Sequence, residues 1–201
     1  EGSDSYEIGV LPMLSLAWSA DEIAPNGETD LQIGFHRVEL GFPAGLTVGF
    51  ARLHRPEGLY TMDVGLTYDS GRDEDDGDDN DLRGMGNIDA STLASVNLGY
   101  EVADSGLAFG LGYEQDVGGE TDSSLATLSA GYTMPMSETF FLTPNLSTTW
   151  ADEDHMQSYF GVNAGQAAAS GNQRFDADAG FKSVRLGLDA AWMISESWML
   201  T

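Results

Sequence analysis

Apolar and polar residues alternate along most of this chain. From Tyr60 to Tyr68 every second residue is apolar, and the residues between them are threonine, aspartate and glycine. Successive residues of a β-strand point to opposite faces, so this period of two predicts strands with one apolar face. The pattern predicts nine fairly complete strands, at 6–18, 31–41, 45–53, 60–68, 91–102, 107–114, 125–134, 140–150 and 184–194, and a tenth that begins at 198. The phase slips near His36, which predicts a β-bulge there.

The connections between the predicted strands are alternately short and long. Tight turns are expected at 104–106, 135–138 and 195–196, and long loops at 70–90, 115–123 and 151–180. Outer-membrane barrels show this asymmetry, because their periplasmic turns are short and their extracellular loops are longer. The same parity assigns 54–58 to the periplasmic side. No apolar run approaches the roughly 18 to 20 residues of a membrane-spanning helix, so a membrane crossing would use strands.

The residue types on the two phases favour a membrane barrel over a soluble β-domain, which would also alternate. Side chains on the polar phase are mainly small or hydrophilic, and they could not build the dry core that a soluble β-domain requires. Tyrosine and tryptophan on the apolar phase lie near strand ends, as in the aromatic girdle of a transmembrane barrel. These predicted girdle residues are Trp18, Tyr60, Tyr68, Tyr100, Tyr113, Tyr132, Trp150 and Trp192. We therefore expect an all-β, antiparallel transmembrane β-barrel in the outer membrane of a Gram-negative bacterium, surrounded by lipid.

The charge balance excludes one class of partner and raises the question of a metal site. The net charge is −25, from 33 acidic and 8 basic residues, so nucleic acid would be repelled. The densest acidic segment lies in the loop 70–90 and contains Asp73, Asp75, Asp76, Asp78, Asp79 and Asp81. Carboxylates suit Ca²⁺, but an EF-hand with Gly77 at its sixth position would need Arg72 as its first ligand. A solvated acidic loop is the favoured interpretation, and a weak cation site is the alternative.

No constellation of residues in the sequence predicts catalysis. The chain has no cysteine and no Gly-x-Ser-x-Gly segment. Its three histidines are scattered, and His155 is expected to be an exposed loop residue. We therefore predict no catalytic residue and no cofactor, and expect that the protein is not an enzyme.

Five charged residues fall on the polar phase of the strands and would face the lumen of a barrel. They are Asp63, Glu101, Glu114, Arg185 and Asp189. Two interpretations remain open at this point. The charges could line a cation-preferring pore, or they could pair across a filled interior and stabilise it.

Three stretches of the sequence resemble the MipA/OmpV family of outer-membrane proteins, also called MltA-interacting proteins. The first is the opening segment 1–6 with Leu11-Pro12. The second is Gly71-Arg72 with the acidic loop and the segment Leu82-Arg83-Gly84-Met85-Gly86-Asn87-Ile88-Asp89. The third and most specific is the loop signature Tyr159-Phe160-Gly161-Val162, followed by Gln166-Ala167 and Ser170-Gly171.

The resemblance implies expectations about the fold and the partners. It implies a barrel of twelve strands, of which this chain, a single barrel domain over 1–201, would lack the first strand and the last strands. It implies, for some members, a scaffold that brings a murein transglycosylase together with a murein synthase. The alternative function is a small-solute pore, or porin, or a barrel that displays adhesive loops on the cell surface.

Overall fold

A computed structural model describes residues 13–17, 30–41, 45–75, 82–195 and 198–200. Within these ranges, eleven strands make up one sheet: β1 (Met13–Ala17), β2 (Asp30–Gly41), β3 (Gly45–Arg55), β4 (Gly58–Asp69), β5 (Ser91–Val102), β6 (Leu107–Asp116), β7 (Ser124–Tyr132), β8 (Met134–Pro135), β9 (Phe140–Ala151), β10 (Gly180–Ser195) and β11 (Trp198–Leu200). Two helices, α1 (Glu153–Phe160) and α2 (Ala164–Ser170), lie between β9 and β10. The predicted strands are confirmed over the described ranges.

The sheet is an antiparallel meander in which each long strand pairs with its neighbours in the sequence. Its order runs from β1 to β11, with the two-residue β8 beside β9 and off the main path. This confirms the predicted all-β, barrel-like fold. In the part of the chain that the structure describes, β1 and β11 are the two ends of the path and the sheet is not closed.

The connections differ between the two ends of the strands, which we call the turn end and the loop end. At the turn end, residues 56–57 and 103–106 join consecutive strands, and 136–139 lead from β8 into β9. At the loop end, the long connections 70–90, 117–123 and 152–179 join the other pairs of strands. The predicted alternation of short and long connections is therefore present. The segment 151–180 was predicted as loop alone, and the two helices within it were missed.

The register of the strands gives the sheet an apolar face and a polar face. One row across the sheet pairs Tyr60, Tyr100, Phe109, Ala130, Leu146 and Leu186 in turn. A row of the opposite phase pairs Asp63, Asn97, Gly112, Thr127, Thr149 and Ser183. Residues two apart along a strand share a face, so these rows define the two faces.

Neither face is covered by a dry core. Among the described residues, the buried apolar side chains are Met85, Ala151 and Ala177, all of them near the loop end. Large apolar side chains are instead exposed, and the exposed fraction is 81% for Leu186 and 75% for Phe181. An apolar surface of this extent requires an apolar environment. Within the described ranges, no helix has the length and apolar content needed to span a membrane.

The register shifts at four places among the described strands. Two of them lie between Gly49 and Ala51 in β3 and between Met193 and Ser195 near the end of β10. A third lies between Ile33 and Arg37, where the sequence predicts a β-bulge. The fourth lies in β10, where Phe181 pairs with Trp150 and Ser183 pairs with Thr149, so Lys182 is an extra residue. Before this bulge an odd-numbered residue lies on the apolar face, and after it the even-numbered residues do.

Candidate functional site

The predicted girdle residues lie on the apolar face at two levels. Tyr60, Tyr100, Tyr132 and Trp192 are near the turn end, and Tyr68, Tyr113 and Trp150 are near the loop end; Trp18 lies outside the described residues. Tyr60 and Tyr100 stack with their ring centroids 4.5 Å apart. The eight-residue step from Tyr60 to Tyr68 spans about 27 Å along the strand. At a tilt of about 40° this gives roughly 20 Å, close to the apolar band of about 25 Å in known membrane barrels.

The five charges predicted to face the lumen all lie on the polar face, but at different heights. Asp63 is buried near the middle of the sheet, and Glu101 is exposed near the turn end. The Asp189 carboxylate accepts a hydrogen bond of 2.6 Å from the side-chain Nδ2 atom of Asn145. Glu114 is near the loop end, within electrostatic range of Lys182 and Asp69. Arg185, also on this face, pairs with Ser147 in the register. The structure therefore distributes these side chains and does not join them in one cluster.

A compact assembly of loops covers the loop end, and we call it the lid. It consists of residues 69–75, 82–90 and 152–179. The lid is anchored where α1 begins, because the Asp152 side chain caps this helix through the His155 N–H at 2.9 Å. The other carboxylate oxygen accepts from the N–H and the hydroxyl of Ser124, at 2.7 and 2.6 Å. Burial raises the pKa of the Asp152 carboxyl, but these hydrogen bonds outweigh it and leave the pKa below its usual value.

Hydrogen bonds hold the two long loops of the lid together. The Arg72 guanidinium donates to the carbonyl oxygen of Tyr159 at 2.9 Å, and the Tyr159 hydroxyl donates to Asp69 at 3.1 Å. The Gln166 side-chain amide donates to the carbonyl oxygen of Met85 at 2.5 Å. These bonds join residues more than 80 positions apart in the sequence. The lid is thus a tertiary structure and not two independent loops.

The helix α2 packs directly on the glycine-rich part of the first loop. Gly84 has φ +82°, and a Cβ atom there would lie 2.8 Å from backbone atoms of Ala169 and Ser170. Met85, which is 8% exposed, lies under the same helix. Asn163 and Gln166 form a capping box at the start of α2, and Gly171 ends it in the left-handed conformation. Contact of this closeness requires glycine at position 84.

Tyr159 is the centre of the polar contacts within the lid. Its ring stacks on His155 with the centroids 4.5 Å apart, and the Lys182 Nζ atom lies 5.6 Å from its centroid. Burial and the neighbouring charge of Asp69 raise the pKa of Tyr159 to about 12. The hydroxyl therefore remains protonated and acts as a hydrogen-bond donor at neutral pH. His155 was expected to be exposed; this was wrong, because it is 3% exposed between α1 and the sheet.

The described part of the chain contains no group of three potential metal-ligating side chains. Of the acidic loop, Asp73 and Asp75 are described, and the Asp73 carboxylate accepts from the Asp75 N–H at 3.0 Å, as in a local turn. The positions 76–81 lie outside the described residues, so a weak cation site there stays a prediction.

Comparison with known proteins gives one family. The model of the family described as "MltA-interacting protein MipA" matches residues 1–201. The chain belongs to the MipA family. No curated protein and no solved structure gave a significant match.

In this MipA chain, two of the stretches that resemble the family form the lid. Tyr159 and Gln166 of the loop signature bond to Asp69 and Met85, and the Val162 backbone pairs with Phe175. A Cβ atom at Gly161 would lie 2.1 Å from the Gln157 side chain, and the Ser170 hydroxyl donates within α2 to the Gln166 carbonyl at 2.7 Å. Phe160 ends α1. The motif therefore builds the lid, and local signals for its helices were present in Asp152 and in the Asn163–Gln166 pair.

Proposed function

We propose that this chain is a non-enzymatic outer-membrane barrel of the MipA type that binds a murein transglycosylase at its turn end. The observation that carries the proposal is the contrast between the two ends. The lid covers the loop end, whereas the turn end has short connections and leaves the polar face accessible.

The orientation of the barrel decides which end can meet a murein enzyme. Short turns of outer-membrane barrels face the periplasm and long loops face the outside. In this orientation the lid is extracellular, and a periplasmic partner can reach the turn end or the lumen. The family name refers to interaction with MltA, a murein transglycosylase, and this supports a partner of that class.

The side chains of the described residues support a binding role more than a catalytic one. His155, although buried, is engaged in the lid by stacking on Tyr159. Its neighbour Asp152 is occupied by Ser124 and by the start of α1. A nucleophile, its base and an orienting acid would have to lie within hydrogen-bond reach of one another. Ser124, Asp152 and His155 do lie together, but the Ser124 hydroxyl donates to the Asp152 carboxylate, and that carboxylate binds the backbone N–H of His155.

The proposal is tested with the full chain in lipid nanodiscs. Purified murein transglycosylase from the same organism is passed over immobilised nanodiscs, and a murein synthase is then added. We expect saturable binding of the transglycosylase and, for a scaffold, binding of the synthase only after the transglycosylase. Nanodiscs that carry an unrelated acidic barrel are the control. Equal binding to both barrels would refute the proposal.

A small-solute pore is the second candidate, and the polar face favours it. A cavity of about 230 Å³ lies along this face, with a lining that includes Thr61, Asp63, Asn97, Thr127 and Ser129. Small hydrophilic side chains of this kind leave room for water and cations. Conductance in planar bilayers tests this function, with reduced cation preference expected for Asp63→Asn. A silent membrane would count against the pore and would leave transglycosylase binding untouched.

A further inference from the structure

A groove of about 580 Å³ opens at the turn end, and all of its lining residues are described. It lies between the β3–β4 turn and the β5–β6 turn. The Ala103 N–H donates to the Glu57 carbonyl at 3.0 Å and ties these two turns together. Leu59 and Val102 contribute apolar surface to the lining. The volume falls within the roughly 300–1,000 Å³ typical of ligand pockets, so the groove can take a few side chains of a bound segment.

The two sides of the groove carry opposite charge. His54 and Arg55 line it from β3, and Glu101 and Asp104 line it from β5 and the turn that follows. A basic side is unusual in a chain with 8 basic and 33 acidic residues. Arg55 meets Glu57 at 3.9 Å, but both side chains are about half exposed, so this pair is weak and exchangeable.

We propose that this groove is the docking site for the periplasmic partner, and that it takes an extended segment of the transglycosylase with one acidic and one basic side chain. This inference rests on the proposed function, because it names the surface that would perform it. The acidic side chain of the segment pairs with Arg55, and the basic one pairs with Glu101 and Asp104. Complementary charges of this kind fix the register of a bound segment and speed its association. Leu59 and Val102 supply apolar contacts along the lining.

Three variants test the groove. Ala108→Trp fills it from the polar face. Asp104→Asn removes one charge and keeps the backbone, because Asp104 has φ 55° and asparagine tolerates that conformation. Asp122→Asn is the matched control, since it makes the same change at φ 51° in a loop-end connection. Each variant is compared with the original chain in nanodiscs for its Kd toward the transglycosylase.

We expect Ala108→Trp to weaken binding by at least about tenfold, as for loss of a central contact. Asp104→Asn should weaken it by about threefold at low salt and by less at high salt, because salt screens the lost pair. Asp122→Asn should bind like the original chain. Heat-modifiable gel mobility verifies folding, and Arg55→Gln replaces Ala108→Trp if the latter does not fold.

The outcomes separate this inference from the proposed function. If the original chain binds and the groove variants bind equally well, the groove is not the docking site, although the function stands. If Asp122→Asn weakens binding as much as Asp104→Asn, the weakening results from the change in net charge and not from the groove, which is again excluded as the docking site. If the original chain does not bind, both proposals fail. If the groove variants lose binding to isolated murein while their transglycosylase binding is unchanged, the groove is a murein site and the inference is overturned.

Discussion

Replacement of Leu186 by arginine tests whether the apolar face lies in lipid. Leu186 is 81% exposed, and it lies about midway along β10 between Phe181 and Trp192. Arginine on the lipid face at the middle of a bilayer destabilises a barrel by about 2–4 kcal/mol. This corresponds to a reduction of about 30-fold to 700-fold in the folding equilibrium. On the surface of a soluble β-domain the same change would usually stay within about 0.5 kcal/mol.

Leu107→Arg is the matched control at a different depth. Leu107 begins β6 at the turn end and is 40% exposed, so the arginine side chain can reach the headgroup region. Near the interface the cost falls to about 0–1 kcal/mol. Comparison of the two variants therefore measures depth and not only the introduction of charge.

Urea titration of the chain refolded into lipid vesicles provides the measurement, with tryptophan fluorescence and gel mobility as independent probes. The free energy of unfolding is extrapolated linearly, and the slopes are compared between variants. If Leu186 faces lipid, Leu186→Arg should lower the free energy of unfolding by at least about 1 kcal/mol more than Leu107→Arg does. Equal losses, or a Leu186→Arg loss below about 0.5 kcal/mol, would refute the assignment of this face to lipid.

Three further predictions concern the lid. Gly84→Ala should expose α2 to hydrogen exchange, because its Cβ would lie 2.8 Å from the α2 backbone. Gly86→Ala is the control: its Cβ would meet open space, so it incurs only the backbone cost of about 1–2 kcal/mol, and equal exchange of α2 in both variants would contradict the prediction. Because the pKa of Asp152 is lowered in the folded chain, the stabilisation of the lid by its carboxylate is fully present above about pH 4. This stabilisation is lost as the pH falls through the folded-state pKa. After correction for the intrinsic pH dependence of amide exchange, the protection of the backbone amides it binds should fall in that acid range, and in Asp152→Asn this acid-dependent step should be missing. Tyr159→Phe should destabilise α1 by about 1 kcal/mol through loss of the hydrogen bond to Asp69, and unchanged α1 exchange would exclude that role.

The strands could be predicted because their signal is local. A period of two over a segment such as 60–68 needs no knowledge of the partner strand, and β4 extends from Gly58 to Asp69. The helices were missed because α1 and α2 have 8 and 7 residues and carry little apolar periodicity. Their capping residues, Asp152 and Asn163, were the available local signals.

The lid could not be assembled from sequence in the same way. The bond from Gln166 to the Met85 carbonyl joins two loops through a backbone atom, which leaves no trace in the residue type at position 85. His155 was misjudged for a related reason. Its acidic neighbours indicated a solvated loop, whereas α1 turns this one side chain inward toward the sheet. Burial of single residues in loops depends on tertiary contacts that local patterns do not encode.

The extra residue at Lys182 gives β10 one position that can lose a residue without a change of faces. If Lys182 were deleted, Phe181 would still pair with Trp150 and Ser183 with Thr149, so the later side chains of β10 would keep their sides. Deletion of Val184, which has its own partner in β9, would instead turn Leu186, Leu188 and Trp192 to the polar interior if the pairing continued unbroken. Substitution of Lys182 would disturb its contact with Tyr159 and its charge near Glu114. The strand should therefore tolerate the loss of a residue at the bulge and not beyond it.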